Sequence, residues 1–247
     1  MKIEGYPYLY ETHLHTNQGS ACAWNTGYEM AKVCHEAGYA GIIVTDHNWG
    51  GNTAVNRDLD WNEWVEQYAE GYRDALRYHH EHPEFSVFFG YEAGFWGTEF
   101  LIYGISPQWL TEHPEIRVAS LEQHVTMVRK AGGMVIHAHP FRERNYIPEV
   151  RLFPELVDGV EGINATHSYA GTQDQLFNQR AIAYAAEHDF PMTAGSDVHS
   201  TRLMGGGMAF RRPLKSVEDF CQAVQSGEDY LLTDGKRVYD KKGTILK

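Results

Sequence analysis

Cysteine, proline and positive charge are all scarce in this chain of 247 residues. Its three cysteines, Cys22, Cys34 and Cys221, are odd in number and share no CxxC spacing, which excludes a disulfide framework and a thiolate zinc finger and fits a reducing compartment. Nine prolines beside 43% hydrophobic and 13% aromatic residues exclude disorder for the bulk of the chain. Lys and Arg number 21 against 33 Asp and Glu, a formal charge of −12, so no basic stripe is available for a long nucleic-acid footprint or an anionic membrane. No run approaches the ~18 apolar residues of a membrane span, and the opening MKIEGYPYLYETHLH lacks a basic-then-apolar leader. The expectation is a soluble cytoplasmic protein without a membrane partner; oligomeric state is not encoded in any pattern.

What the chain has is an alternation of short β-branched and aromatic runs with longer segments of helical period, which argues for βα units. The runs are Tyr6–Glu11, Ala40–Thr45, Ser86–Tyr91, Glu99–Ile105, Gly133–Ala138, Val160–Asn164 and Pro191–Ala194, with a weaker one near Met208–Phe210. Helices are expected at Gly27–Ala37, Trp61–Glu81, Ser120–Ala131, Asp174–Glu187 and Ser216–Gln225, the second opened by a D-x-x-E capping box of Asp60 and Glu63. One barrel-like domain over residues 1–247 fits, since α/β barrels reach ~250 residues as one unit; residues 231–247 read as a terminal hairpin or tail. Asn48–Asp60 reads as a loop over the end of the second strand.

Polar residues fall at strand ends. His13 and His15 end the first strand, Asp46 and His47 the second, and Glu92 follows the third; His137 and His139 close GMVIHAHP, Asn164 and His167 follow GVEGI, and Asp197 and His199 follow PMTAGS. The carboxyl ends of parallel strands share one face, so these groups can meet at one mouth. Strand alternation points His13 and His15 the same way, and His137 and His139 likewise. Imidazoles with Glu92 and Asp197 form a donor set suited to Zn²⁺, Mn²⁺ or Fe²⁺. One histidine at a strand end is ordinarily a hydrogen-bonded core or surface residue; five strand ends carrying His, Asp or Glu favour a metal centre. His35, His79, His80, His82, His113, His124 and His188, in helical or connecting segments, receive no functional role.

In order, THLHT, VTDHN, GYEAGF, GGMVIHAHP and GSDVH resemble the signature of the PHP (polymerase and histidinol phosphatase) family over roughly Glu11 to Phe210. The resemblance implies a distorted TIM-like barrel of seven βα units holding two to three divalent ions at its carboxyl face, with phosphoester hydrolysis as the activity. By matching motif it implies that His13, His15, Glu92 and Asp197 hold one ion, that Glu92 bridges to a second taken also by His139, and that His47 and His199 hold a third. Two departures stand out. The loop after HxH, Thr16–Cys22, lacks the Asp or His that completes the third site, leaving Asn17, Gln18 or Cys22 to substitute, although Cys22 reads first as a small buried residue. FLIYGIS, after the bridging Glu, lacks a His, leaving His137 or, preferably, His167 for the second ion, since His137 lies one layer deeper.

Such a centre implies water activated by divalent ions attacking phosphorus, with no protein nucleophile. Asp46 is then a partner of a ligating imidazole or a proton acceptor, or else caps a local turn. Arg142 ranks first and Arg202 second for holding a phosphate, with Arg144 a surface residue. Gly205–Gly207 lacks the Lys-Ser/Thr of a P-loop and reads as a turn. Trp49, Asn52, Asn56, Arg57 and Trp61 are candidates for stacking on an aromatic leaving group, though such tryptophans are more often core. A small phosphomonoester is the expected substrate. Competing readings are an exonuclease or nucleotide phosphatase on short oligonucleotide ends, an amidohydrolase-type enzyme, which TDHN and GYEAGF fit poorly, and a non-catalytic metal-binding regulatory module.

Overall fold

Ten strands form one curled sheet in the order β10-β9-β8-β1-β2-β3-β4-β5-β6-β7 in the computed structural model, which describes residues 3–169 and 172–247. Along the chain these are β1 (Tyr8–Leu14), α1 (Gly27–Glu36), β2 (Gly41–Val44), α2 (Trp61–Tyr68), α3 (Glu70–Glu81), β3 (Ser86–Phe95), β4 (Thr98–Tyr103), α4 (Pro107–Glu112) and a 3-10 turn at Pro114–Val118. There follow α5 (Leu121–Lys130), β5 (Met134–His137), β6 (Gly159–Asn164), α6 (Ala165–Tyr169), α7 (Thr172–His188), β7 (Met192–Gly195), β8 (Gly206–Phe210), α8 (Val217–Gln225), β9 (Tyr230–Asp234) and β10 (Val238–Tyr239). The expected terminal hairpin is β9 and β10.

The curl returns β7 to β1. Val198, just past β7, accepts from the His15 amide at 2.9 Å and donates to the His13 carbonyl at 3.2 Å. β1 is thereby shared: Tyr8–Tyr10 pairs with β8, while its carboxyl half meets the segment leaving β7. Gly195 makes this approach possible, because a Cβ there would lie 2.5 Å from the Cβ of His13. The result is the expected distorted TIM-like α/β barrel.

One expectation about the barrel is corrected. β1, β2 and β3 run parallel, as do β5, β6 and β7, but β4 is antiparallel to both its neighbours. The chain turns from β3 to β4 on two residues, Trp96 and Gly97, with φ of 50° and 85°. Positive φ at both central positions is the hairpin geometry that matches strand twist, so no helix separates this pair.

Helix α1 starts on a capping box of Thr26 and Glu29, and α5 on one of Ser120 and Gln123. The capping box expected at Asp60 does not form: the Asp60 carboxylate makes no cap bond, and its carbonyl instead accepts from the Trp64 amide at 2.8 Å. The single helix expected over Trp61–Glu81 is two, divided at Ala69. Its predicted face is nevertheless the packed one. Trp61, Trp64, Val65, Tyr68 and Ala75 are buried, and Trp49 sits edge-on to Trp61 and Trp64 at 5.0 and 5.6 Å. These tryptophans thus pack on one another and anchor the loop that carries His47.

Candidate metal centre

The carboxyl ends of β1, β2, β3, β5 and β7 bring their polar residues to one mouth. Glu92 stands at its centre. His13 Nε2 lies 3.3 Å from Glu92 Oε1 and His139 Nε2 3.1 Å from the same oxygen. His15 Nε2 and His47 Nδ1 approach Glu92 Oε2 at 3.6 and 2.8 Å. Asp197 Oδ1 completes the near side, 3.5 Å from His13 and 3.3 Å from His15. His15 also stacks against His199 at 4.3 Å and His47 at 4.5 Å between ring centroids. Four sets of donor atoms close enough to share an ion result: His13–His15–Asp197, His13–Glu92–His139, His47–Glu92–Glu99 and His15–His47–His199.

Whether an ion belongs there is answered by the atoms left over. His13 Nε2, His15 Nε2, His47 Nδ1 and Glu92 Oε2 are all buried, converge on the mouth and have no hydrogen-bond partner. His47 Nδ1 and Glu92 Oε2 are near enough for a hydrogen bond but misaligned for one. Leaving a buried polar atom unsatisfied costs about 1–3 kcal/mol, and four orphans of complementary type in one place fit a divalent cation.

A supporting layer holds these groups. Glu161 accepts from His13 Nδ1 at 2.8 Å, from the His139 amide at 3.0 Å and from Asn164 Nδ2 at 3.1 Å, which directs Nε2 of His13 to the mouth. Glu11 accepts from the amides of His13 and Ser196 at 3.0 and 2.8 Å, joining β1 to β7. Asp46 accepts from the Thr16 amide and hydroxyl, both at 2.6 Å, and from the Ser20 hydroxyl at 2.7 Å, while Ser20 Oγ stands 3.0 Å from His15 Nδ1. Asp46 therefore both caps the turn after β1 and reaches the imidazole of His15, through Ser20. His139 and Asp197 adopt left-handed backbone, φ 30° and 56°, a strained conformation held where the site needs their side chains.

Burial opposes charge throughout the site, yet the partners decide the protonation states. Although burial works against it, the His13 ring is held well above the ordinary imidazole range by Glu161, Asp197 and Glu92. His15 is driven well below that range by burial and by His199 and His47 beside it. Against burial, His47 and His13 hold Glu92 well below the usual carboxylate range, and Arg142 and His13 do the same for Asp197. Ionised Glu92 and Asp197 beside neutral His15 are the forms in which these side chains ligate. Burial and the nearby Glu92 push Glu99 up.

The remaining sequence candidates fall in several places. Arg142 is at the mouth, where its guanidinium pairs with Asp197 and its Nε donates to His167 Nε2 at 3.0 Å. His167, expected to ligate the second ion, has its other ring nitrogen 3.3 Å from Asn178 Oδ1 and belongs to none of the donor sets among the described residues. It orients Arg142 instead, and burial with the neighbouring Arg142 lowers its pKa to about 2. His137 is buried against Phe100, ring centroids 5.0 Å apart. Arg202 is exposed on the turn after His199, and Arg144 pairs with Asp174 at 2.7 Å. Glu99 was overlooked in the sequence: it lies 3.6 Å from His47 and 3.5 Å from His139. Its signal was the Trp-Gly turn, which reverses β4 and presents the start of that strand to the mouth. Glu161 also escaped notice, although a lone carboxylate inside the apolar run GVEGI is unusual in a buried strand.

The mouth opens on a cavity of about 480 Å³ lined by His47, Glu99, Arg142, Tyr146, Asp197 and His199, among others. Fold and site together define an α/β barrel protein with a histidine–carboxylate cluster at the carboxyl ends of its strands. Residues 175–228, which include Asp197 and His199, match the family model described as PHP-associated. The match falls on the part of the chain that carries GSDVH, in keeping with the resemblance of the five ordered motifs to the PHP family. Its fold is similar to that of a two-domain protein containing a predicted PHP-like metal-dependent phosphoesterase from Bacteroides vulgatus, at 13% identity and a TM-score of 0.69, over 97% of this chain and 68% of that one. It is also similar to PsfC from Pseudomonas syringae, at 15% identity and a TM-score of 0.58, over 88% of this chain and 89% of that one. No curated protein matches the sequence. No helix among the described residues is long and apolar enough to cross a membrane.

Proposed function

We propose that the protein is a metal-dependent phosphoesterase that hydrolyses a small phosphomonoester. The observation that carries this reading is the convergence of three buried, unpartnered imidazole nitrogens on Glu92 and Asp197, with Arg142 at the rim. His13, His15, Glu92 and Asp197 would hold one divalent ion, Glu92 with His139 and Glu99 a second, and His47 and His199 a third. Bound there, Zn²⁺, Mn²⁺ or Fe²⁺ would supply Lewis acidity, lowering the pKa of water and neutralising charge on phosphoryl oxygens.

The chain's own residues position the substrate. Arg142 lies beside Asp197 and lines the cavity, so its remaining N–H groups can meet a phosphate oxygen, and His167 keeps its plane fixed. Glu161 and the Asp46–Ser20 pair hold the imidazoles of His13 and His15 in one orientation, so little reorganisation accompanies the reaction. A cavity of about 480 Å³ is the size of a small-molecule site, and the formal charge of −12 favours one phosphate held locally over an oligonucleotide.

The test is metal analysis of the purified protein, with a phosphomonoester panel assayed in Mn²⁺ or Zn²⁺ alongside Glu92→Ala. Hydrolysis of one or more esters, lost in Glu92→Ala, is expected. Activity unaffected by that substitution would overturn the role of Glu92, and bound metal without hydrolysis across the panel would favour a regulatory module.

A further inference from the structure

The turn after β1, Thr16–Cys22, brings neither carboxylate nor imidazole to the set His15–His47–His199. Its other polar side chains are already engaged. The Thr16 and Ser20 hydroxyls bond Asp46. Gln18 donates to Asp74 at 3.1 Å and accepts from the Gly27 amide at 3.0 Å, at the start of α1. Asn17 is exposed and donates to the Trp24 carbonyl at 3.2 Å. Cys22 differs from all of these. It is half-buried and lines the cavity together with His47 and His199, whose imidazoles act on its thiol.

Backbone bonds fix it there from both sides. The Ala21 amide donates to Asn52 in the His47 loop, and the Trp24 amide donates to the carbonyl of His199, each at 2.9 Å. Independently, His47 in the same set is buried and its Nδ1 lacks a partner, which marks the place as one built for a ligand.

We propose that Cys22 is the ligand that completes this third set, binding a divalent ion as a thiolate beside His47 and His199. The inference rests on the mouth being a metal centre. It separates the positions of that centre by chemistry: thiolate and imidazole select Zn²⁺ or Fe²⁺ over harder ions, whereas the carboxylate-rich sets around Glu92 also suit Mn²⁺.

Cobalt substitution of the full-length protein tests it, with Co²⁺ as the probe. Stripped wild-type protein reloaded with Co²⁺ is expected to show thiolate-to-cobalt charge-transfer absorption in addition to d–d bands. Cys22→Ser is expected to lose the charge-transfer band and one equivalent of cobalt while keeping d–d bands from the other sets. On the unsubstituted chain, metal loading is expected to slow alkylation of Cys22 by iodoacetamide roughly tenfold or more, with buried Cys34 and Cys221 silent. Cobalt bound with d–d bands alone, or Cys22 alkylated at the same rate with and without metal, overturns ligation by Cys22 and leaves the metal centre standing. Failure to bind cobalt at all overturns both.

Discussion

Oε2 of Glu99 lies 3.5 Å from Nε2 of His139, across an antiparallel pair of strands in which the backbone carbonyl of Glu99 accepts from Ala138 at 3.0 Å. Because β4 runs against both neighbours, its first residues stand at the mouth and its last at the opposite rim. Glu99→Gln keeps the shape and removes the charge. Activity is expected to fall roughly 10- to 100-fold with faster loss of metal on dialysis. Unchanged metal retention would remove Glu99 from the centre.

Arg142 is held on two sides, by Asp197 and by His167. Lysine cannot reproduce the planar fork, so Arg142→Lys is expected to raise KM for a phosphomonoester about tenfold, with metal content equal to wild type by elemental analysis. A KM that does not move would place the phosphate elsewhere in the cavity.

Gly195 tests the closure of the barrel. Its replacement by alanine sets a methyl 2.5 Å from His13 Cβ and 3.0 Å from the His13 amide nitrogen. Neither neighbour can retreat, because His13 is bonded to Glu161, Glu11 and Val198. A loss of about 1–3 kcal/mol is expected from such overpacking, read as a lower midpoint in urea. The same displacement of His13 should weaken metal binding, measured by competition with a chelator.

His124 gives a pH signature away from the site. Its ring is buried among Tyr91, Phe95 and Trp49, Nδ1 has no partner, and burial lowers its pKa from 6.5 to about 4. Above pH 6.5 the ring is neutral in both folded and unfolded chains, so it adds no slope. Between pH 6.5 and about 4 the unfolded chain takes up the proton first, and stability falls by about 1.4 kcal/mol per pH unit from this group. His124→Gln removes that contribution. The difference between wild type and variant in urea melts should change across this window and be flat above it; a flat difference throughout would mean the ring is solvated when folded.

Much of the site could be read along the chain because most of the residues gathered at the mouth sit at strand ends, where local pattern already specifies direction. His13 and His15 are two apart on one strand, and period two alone puts them on one face. TDH and SDxH follow apolar runs that could only be buried strands. Glu99 was hidden because its place depends on the direction of β4, set by two residues with positive φ and not by the pattern of the strand itself. His167 was misplaced for a related reason. It follows a strand end as the other candidates do, but its ring nitrogens are taken by Arg142 and Asn178, and Asn178 comes from the next helix.

The sequence by itself determined the α/β class, the burial of Trp61, Trp64 and Tyr68, and the gathering of histidines and acids at one mouth, since all of these follow from periodicity and short-range order. Only the tertiary structure decided which side chains share an ion-sized space and which support them. Glu92 meets His13, His47 and His139, and Glu161 holds His13 across 148 positions of chain, because the sheet curls until β7 touches β1. That closure sums the twist of every strand with the bulk of the side chains between them, down to the missing Cβ at Gly195, and no local window of sequence contains it.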